Sequence, residues 1–325
     1  MVAALRQSLR TQHPASEVTL IETHISFVLL AGEHAYKIKK AVNLGFVDFT
    51  TLERRRHFGD EELRLNRRTA PDLYLGLLPV TGTADKPALG GTGPVVDWAL
   101  EMRAFDQDGL WERLAMRGAL RPAHVDALAE ALCALHASAA VAGPDDPVGR
   151  ADQVRAPVQD SLRALDAMCT TDDDRNSLAE LRRWEAQAFD ALRGVFEARL
   201  QGGWVRECHG DLHLGNVTQI DGRTTLFDGL EFSPALRWTD VMSDVAFMAM
   251  DLQAHRLPRL AHRFVNAVVE RSGDVAGLRV LRYHRVYRAL VRAKVAALHG
   301  AASGLSVVQR YLAVARPARA AAHRC

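Results

Sequence analysis

The sequence has few cysteines and no long hydrophobic run, and these two scarcities exclude whole classes of protein. Its 325 residues include four cysteines and no CxxC pair, so we expect reduced thiols rather than a disulfide framework. The longest apolar run, residues 245–250, is far too short to span a membrane. Residues 1–17 lack the pattern of a signal peptide, and we expect a soluble, cytoplasmic protein. The cysteines are Cys133, Cys169, Cys208 and Cys325.

An excess of either charge is also missing. The chain has 41 Lys and Arg against 39 Asp and Glu, a formal net charge of +2. This balance argues against a globally basic nucleic-acid-binding protein and against a disordered acidic chain. Because 48% of the residues are hydrophobic, the chain can bury a substantial core, and its length fits one or two domains.

The first hundred residues alternate short apolar runs with turn signals, which is typical of β-strands. A Gly/Thr-rich loop over residues 81–94 suits a hairpin connection. One helix is predicted over residues 52–68, with Thr51 as its cap and Pro71 beyond its end. We predict strands over residues 18–22, 26–31, 34–38, 74–80 and 95–102.

From residue 103 onward the pattern is mostly helical. We predict helices over residues 122–139, two over 152–200 with a break at 170–176, and a basic one over 278–298, with short strands at 204–207, 217–220 and 225–227. The order predicts an α+β fold with a β-rich lobe, 1–102, and a helical lobe, 103–325, together forming one domain. A cleft between such lobes is where we expect a ligand to bind.

The strongest chemical signal is the string HGDLHLGN from His209 to Asn216, with Asp228 following in an FDG turn. Phosphoryl transfer to an alcohol needs a carboxylate that orients and deprotonates the acceptor hydroxyl, and oxygen ligands for Mg²⁺. Asp211 would be the base, and Asn216 and Asp228 the metal ligands. A loop that uses His and Asp only for local hydrogen bonds is the competing structural interpretation.

A zinc site is a second competing interpretation. Cys208, His209 and His213 lie within six residues, and Cys and His at short spacing suit Zn²⁺. Structural zinc sites normally show paired ligand motifs, and a fourth ligand at matching spacing is not apparent. We therefore favour the phosphotransferase interpretation.

The chain resembles the aminoglycoside-phosphotransferase family of kinase-like enzymes over most of its length, from about residue 18 to 299. HGDLHLGN looks like the family's HGDxxxxN catalytic loop, with Leu214 where Pro is common, and Phe227-Asp228 looks like its metal-binding strand end. The stretches 33–40, 61–66 and 240–252 also resemble a subgroup of uncharacterised bacterial proteins. In many of those this domain is fused to a C-terminal P-loop ATPase domain. This sequence contains no GxxxxGK[ST] motif, so we expect no such domain within it.

The resemblance implies a bilobal protein-kinase-like fold and assigns residues to nucleotide binding. Lys37 matches the strand lysine that contacts the phosphates, but Lys39 lies on the same strand face and competes with it. The partner carboxylate would be Glu62, with Glu61 as the alternative, because residues one apart on a helix differ by about 100°. His209 and Asp244 would orient the catalytic loop.

We expect the adenine of the nucleotide to contact backbone groups of Glu101, Met102 and Arg103, at the end of the last predicted strand of the β-rich lobe. The cofactors implied are ATP, or GTP, and Mg²⁺. No glycine occurs between Ser16 and Gly32, where kinases often carry a Gly-rich phosphate loop. The missing glycines argue against a protein kinase more strongly than against the kinase-like fold. They favour the branch of the family that phosphorylates small molecules.

The acceptor is a separate question. Five arginines recur at spacings of three and four on the basic helix, and a guanidinium suits phosphate or carboxylate, so the hydroxyl acceptor would be anionic. A solvated helix face is the alternative, and nucleic acid is less favoured. Glu231 and Asp251 lie near the catalytic segments and could be structural. A catalytically silent nucleotide sensor remains the alternative function. The arginines are Arg279, Arg282, Arg285, Arg288 and Arg292, followed by Lys294.

Overall fold

The computed structural model describes residues 1–12, 17–45, 47–169, 171–298 and 302–315. The strands are β1 Thr19–Glu22, β2 Ser26–Ala31, β3 His34–Lys39, β4 Tyr74–Gly82, β5 Pro87–Leu89, β6 Val95–Arg103, β7 Val205–Glu207, β8 Val217–Ile220, β9 Arg223–Leu226 and β10 Trp238–Asp240. The helices are α1 Val2–Gln12, α2 Leu52–Asn66, α3 Trp111–Met116, α4 Pro122–Ser138, α5 Ala151–Met168, α6 Asp172–Gln201, α7 Pro234–Arg237, α8 Val241–Ala254, α9 Pro258–Ser272, α10 Leu278–Leu298 and α11 Ala302–Ala315.

The described chain forms two compact units. The first combines Met1–Arg113 with Asn216–Pro234, and the second combines Leu114–Gly215 with the described part of Ala235–Cys325. A strand-rich unit and a helical unit agree with the predicted α+β class. The lobe boundary at residue 102 stays a prediction.

The first unit is built on an antiparallel sheet in the order β1-β2-β3-β6-β4-β5. In β3, Lys37 pairs with Val28 on one side and Leu100 on the other, so it lies well inside the sheet. The β8–β9 hairpin turns at Asp221 and Gly222, both at positive φ, as expected for a tight turn.

Two helices accompany this sheet. α1, which the sequence analysis did not predict, buries Leu5 and Leu9 in a core shared with Val80 and Ala99. α2 begins at the predicted position, where the Thr51 hydroxyl accepts the Arg54 N–H at 3.3 Å. β5 was also missed, because it lies inside the segment predicted as a loop.

The second unit packs helices around α8, in which nearly every residue is buried. α10 begins and ends at the predicted residues. The Arg199 guanidinium of α6 is buried and binds the carboxylates of Asp240 and Asp274. It therefore ties α6 to the start of α8 and to the turn after α9. Removing one partner of such a buried ion pair would leave the other charge buried and uncompensated.

The described cysteines, Cys133, Cys169 and Cys208, are free thiols, whereas Cys325 lies outside the described residues. Among the helices of the described chain, none combines the length and the apolar character needed to cross a membrane.

His284 of α10 predicts a pH dependence of stability. It is 1% exposed, and neither ring nitrogen has a hydrogen-bond partner within the described chain. Burial lowers the pKa of His284 to about 4, whereas a histidine in the unfolded chain has a pKa of about 6.5. As the pH falls from about 6.5 to 4, His284 becomes protonated in the unfolded state but stays neutral in the native state. We expect about 3 kcal/mol of stability to be lost in that window.

Urea unfolding of wild type and His284→Phe between pH 7 and 4.5 measures this loss. The phenylalanine variant should show a smaller decline, since its ring cannot charge. The carboxylates with lowered pKa values, such as Glu62 and Asp244 at about 2, act mainly below this window. An equal decline in both proteins would contradict the assignment.

Candidate active site

The predicted catalytic loop follows β7, and its residues up to Gly215 belong to the second unit. Gly210 has φ +80°, a conformation that favours glycine, so the second letter of the HGD string meets a backbone requirement. A 3₁₀ turn over Leu214–Asn216 then leads into β8. Asp211 and Asn216 are thus placed on one short segment, as predicted.

Buried groups hold the backbone of this loop. The Asp244 carboxylate accepts the N–H groups of His209 at 2.9 Å and Gly210 at 3.0 Å. His136 Nε2 lies 3.1 Å from the same carboxylate. Although burial raises the pKa of Asp244, the hydrogen bond and charge of His136 lower it to about 2. Asp244 therefore makes the backbone contacts that the resemblance implies, and His136 is a partner that the sequence did not reveal.

A second set of contacts reaches the same loop from α8 and α10. Asp251 Oδ2 accepts the Leu214 N–H at 2.9 Å. Arg288 Nη1 donates to the Gly210 carbonyl at 2.9 Å, and its Nε donates to Ser243 Oγ at 3.0 Å. The loop is therefore held at its first turn and again next to the 3₁₀ turn.

Asp211 retains some access to solvent, with 35% of its side chain exposed. Its carboxylate lies 3.5 Å from His213 Nε2. Burial raises the pKa of Asp211, but the charges of His213, Arg292 and His209 hold it well below its usual range. Asp211 is thus ionised at neutral pH, the state that a hydroxyl-orienting carboxylate needs.

The two loop histidines have similar contacts. His209 Nδ1 accepts the Asp211 N–H at 3.3 Å, and His213 Nδ1 accepts the Gly215 N–H at 3.0 Å. When Nδ1 of a neutral imidazole accepts a hydrogen bond, the single ring proton lies on Nε2. These bonds suit a loop-orienting role for His209, and they direct the Nε2–H of His213 toward Asp211.

In the first unit, β3, α2, the FDG turn and Glu231 just after it bring five charged groups together. Lys37 Nζ lies 2.7 Å from Glu62 and 2.6 Å from Asp228. Lys39 Nζ lies 2.6 Å from Glu62 and also binds Glu231. Both competing lysines therefore reach Glu62, and Lys37 alone of the two bonds to Asp228 here. Two lysines thus face three carboxylates, of which Glu231 has a pKa raised by burial.

Burial and partners distinguish the two candidate glutamates. The Glu62 side chain is 1% exposed, whereas that of Glu61 is 23% exposed and pairs with Arg64. Burial raises the pKa of Glu62, but Lys37 and Lys39 lower it to about 2. Burial likewise lowers the pKa of Lys37, yet Asp228 and Glu62 raise it well above its ordinary value. Each group thus stays charged because of its partners.

The backbone around Asp228 is also fixed. Asp228 has φ +58°, uncommon for a residue other than glycine but tolerated by aspartate. Its N–H donates to the Tyr74 hydroxyl at 3.0 Å, and the Gly229 N–H donates to Asn66 Oδ1 at 2.8 Å. Asn216 Nδ2 lies 3.4 Å from the Asp228 carbonyl. The amide nitrogen of Asn216 is thus directed at the backbone, so its amide oxygen is the atom that could bind a metal.

The predicted adenine contacts, Glu101, Met102 and Arg103, form the end of β6. The Arg103 N–H already donates to the Leu73 carbonyl at 2.9 Å, so a base would have to replace that bond or use another group. The Arg103 side chain pairs with Asp221 at 3.0 Å. Both side chains line a cavity of about 490 Å³ whose lining, in the described chain, omits Lys37, Glu62 and Asp228.

The arginines of α10 do not share one environment. Arg279 and Arg282 are exposed, Arg285 and Arg292 are half-buried, and Arg288 is 3% exposed. Arg288 braces the loop, and Arg285 binds Gln253. The helix face is therefore neither a uniformly solvated stripe nor a continuous anion-binding surface.

The zinc interpretation finds little support. Among the described residues, the potential metal ligands that lie close together are His136, Cys208 and Asp244, so His209 and His213 of the proposed trio are not included. The Asp244 oxygens already bind two backbone N–H groups and His136, and Cys208 Sγ lies 3.3 Å from the Thr239 carbonyl. Hydrogen bonding accounts for this cluster.

Glu62 predicts a contrast between neighbouring glutamates. Glu62→Gln leaves two buried lysines short of a counter-charge, and we expect a loss of about 3–5 kcal/mol of unfolding free energy. Glu61→Gln removes an exposed pair and should cost less than about 1 kcal/mol. Urea unfolding of both variants makes the comparison, and equal losses would show that Glu62 is not the buried partner.

No protein-family model matches the chain. It is 32% identical over 289 residues to uncharacterised proteins of Mycobacterium tuberculosis (strain ATCC 25618 / H37Rv) and Mycobacterium bovis (strain ATCC BAA-935 / AF2122/97). The match covers 87% of this chain and 56% of each relative, so the chain spans about half their length. The fused P-loop domain that the resemblance implies for such proteins stays a prediction.

Solved structures share the fold. A GDP complex of aminoglycoside 2′-phosphotransferase-IIIa has a TM-score of 0.57 at 12% identity, covering 96% of this chain and 98% of that chain. Choline kinase from Cryptosporidium parvum Iowa II has a TM-score of 0.56 at 11% identity, covering 97% and 94%. A choline/ethanolamine kinase family protein from Mesorhizobium loti has a TM-score of 0.54 at 16% identity, covering 97% and 99%. This chain therefore has the kinase-like fold that these phosphotransferases share, as the catalytic-loop resemblance implied.

Proposed function

We propose that this chain transfers the γ-phosphoryl group of ATP or GTP to a hydroxyl group of a small molecule. The observation that carries the proposal is the group formed by Lys37, Glu62 and Asp228, in which one lysine lies within 2.7 Å of both carboxylates. Phosphoryl transfer in kinase-like sites uses such a strand lysine, its helix glutamate and a metal-binding aspartate. The fold of aminoglycoside and choline kinases, one of them bound to GDP, supports the reaction class and a purine nucleotide.

The metal ligands would be Asn216 and Asp228. An amide oxygen and a carboxylate are hard donors that suit Mg²⁺, which keeps few protein ligands. The Asp228 side chain is 39% exposed, so a metal can reach it. Bound Mg²⁺ would neutralise charge on the transferring phosphate.

Asp211 would act on the acceptor. It accepts a hydrogen bond from the acceptor hydroxyl and aims that oxygen at the γ-phosphorus. A bond forms between the acceptor oxygen and phosphorus, the bond to the β–γ bridging oxygen breaks, and the hydroxyl proton passes to Asp211. Because the pKa of Asp211 is held low, we expect the proton to move late, which suits a loose transition state.

Asp211→Asn separates this proposal from the silent nucleotide sensor. The amide preserves the shape of the side chain but cannot accept the proton, so we expect kcat to fall by about 10²–10⁴-fold. Nucleotide affinity should stay within about twofold, since Asp211 acts on the acceptor. Product formation over a panel of hydroxyl compounds, measured by mass shift, and calorimetric nucleotide binding give the two quantities. Equal turnover by both proteins would contradict a catalytic role for Asp211.

Asp228→Asn tests the metal site. Loss of a charged ligand should weaken Mg²⁺-dependent nucleotide binding by at least about tenfold, which corresponds to about 1.4 kcal/mol. The matched control is Asp108→Asn, an exposed aspartate that pairs with Arg113. Titration with nucleotide at several Mg²⁺ concentrations distinguishes the variants, and the same metal dependence in both would rule out Asp228 as a ligand.

A further inference from the structure

Tyr311 of α11 connects the C-terminal helix to the catalytic loop through one carboxylate. Its ring is fully buried, and its hydroxyl donates to Asp251 Oδ1 at 2.7 Å. The other oxygen of Asp251 accepts the Leu214 N–H at 2.9 Å. Leu214 lies three residues after Asp211 and two before Asn216. A single buried carboxylate thus joins the tyrosine to the middle of the loop.

The same hydroxyl also meets a charge that acts on the catalytic aspartate. Arg292 Nε lies 3.2 Å from the Tyr311 oxygen, so the hydroxyl donates to Asp251 and accepts from Arg292, which a phenol can do at once. The charge of Arg292 lowers the pKa of Asp251 and contributes to lowering that of Asp211. Tyr311 therefore lies between Asp251, whose carboxylate holds the loop, and Arg292, whose charge contributes to lowering the pKa of Asp211.

We propose that Tyr311 is a positioning residue for phosphoryl transfer, holding the Leu214 N–H through Asp251 and fixing Arg292 beside the loop. This inference rests on the proposed function for its effect on turnover. Its structural half, the restraint on the Leu214 N–H, is independent of any activity. No sequence motif pointed to Tyr311. It lies beyond the family resemblance, which ends near residue 299, before α11 begins.

Packing alone would not require the hydroxyl. A phenylalanine fills the same ring volume, but Asp251 would then lose the bond from Tyr311, one of the contacts that fix its carboxylate. A buried carboxylate that loses a donor is free to rotate or shift toward another donor, such as Arg292. Burial, followed by the charge of Asp251, raises the pKa of Tyr311 to about 12, which keeps the phenol protonated as a donor across the working pH range.

The chain offers a matched control in Tyr283 of α10. Tyr283 is 1% exposed, and its hydroxyl donates to Glu185 Oε1 at 2.8 Å. Tyr311→Phe and Tyr283→Phe therefore delete the same kind of buried phenol–carboxylate bond in the same unit. They differ in what the carboxylate holds, since Glu185 binds Arg155 whereas Asp251 binds the catalytic loop.

The experiment compares the two variants by hydrogen exchange and kinetics. In Tyr311→Phe we expect the Leu214 amide to exchange at least about tenfold faster and kcat to fall by a similar factor, with nucleotide KM unchanged. Tyr283→Phe should show a comparable shift of the urea midpoint but wild-type Leu214 exchange and kcat. Unchanged Leu214 exchange in Tyr311→Phe, or equal changes in both variants, would overturn the proposal.

Asp251→Ala, which removes both acceptor oxygens, completes a double-mutant cycle with Tyr311→Phe. If Tyr311 acts through Asp251, the double variant should be no worse than Asp251→Ala alone in Leu214 exchange and in kcat. Additive effects would overturn the route through Asp251, and Asp251→Ala with normal Leu214 exchange would do so even if Tyr311→Phe does not fold. Faster Leu214 exchange without turnover by wild type on any acceptor would refute the proposed function while leaving the restraint on the loop intact.

Discussion

The first unit is organised around a carboxylate that is buried and therefore has to be paired. Removing an ionised carboxylate from water costs several kcal/mol unless charges and hydrogen bonds compensate. Glu62 is compensated by Lys37 and Lys39, both at hydrogen-bond distance. Because residues two apart on a strand share a face, β3 presents both ammonium groups to α2. α2 must then turn Glu62 inward and leave Glu61 outside, so charge pairing fixes the rotation of the helix that the hydrophobic core alone would leave less defined.

The second unit solves a related problem with the opposite polarity. A loop that leaves β7 at a positive-φ glycine has N–H groups that its own backbone cannot satisfy. Asp244 and Asp251 are seven residues apart on α8, about two turns, so they lie on one face of the most buried helix. One accepts the N–H groups at the start of the loop, and the other accepts the Leu214 N–H. The buried carboxylates thus bind the loop backbone, whereas the Asp211 side chain stays 35% exposed.

The sequence predicts the local parts of this arrangement and misses the long-range ones. The bounds of α10, the Thr51 cap and the spacing of Asp211, Asn216 and Asp228 follow from periodicity and motif, because their causes lie within a few residues. Helix α1 was not predicted because its apolar pattern consists of only two buried leucines. Strand β5 was not predicted because its three residues depend on pairing with β4. The contacts of Glu231 and Tyr311 lie 192 and 60 residues away along the chain, and no spacing rule in one sequence connects such distant groups.

The paired lysines have a consequence for how the proposed site accommodates a nucleotide. Lys37 bonds to Asp228, so phosphate oxygens would compete with that carboxylate for the same ammonium group. A single lysine that turned toward phosphate would leave Glu62 partly uncompensated in a buried position, at a cost of several kcal/mol. Lys39 removes this conflict, since it binds Glu62 and Glu231 from the same strand and is itself 5% exposed. Lys39 is thus the partner that keeps Glu62 charged and oriented, and in the proposed function Lys37 would exchange Asp228 for phosphate.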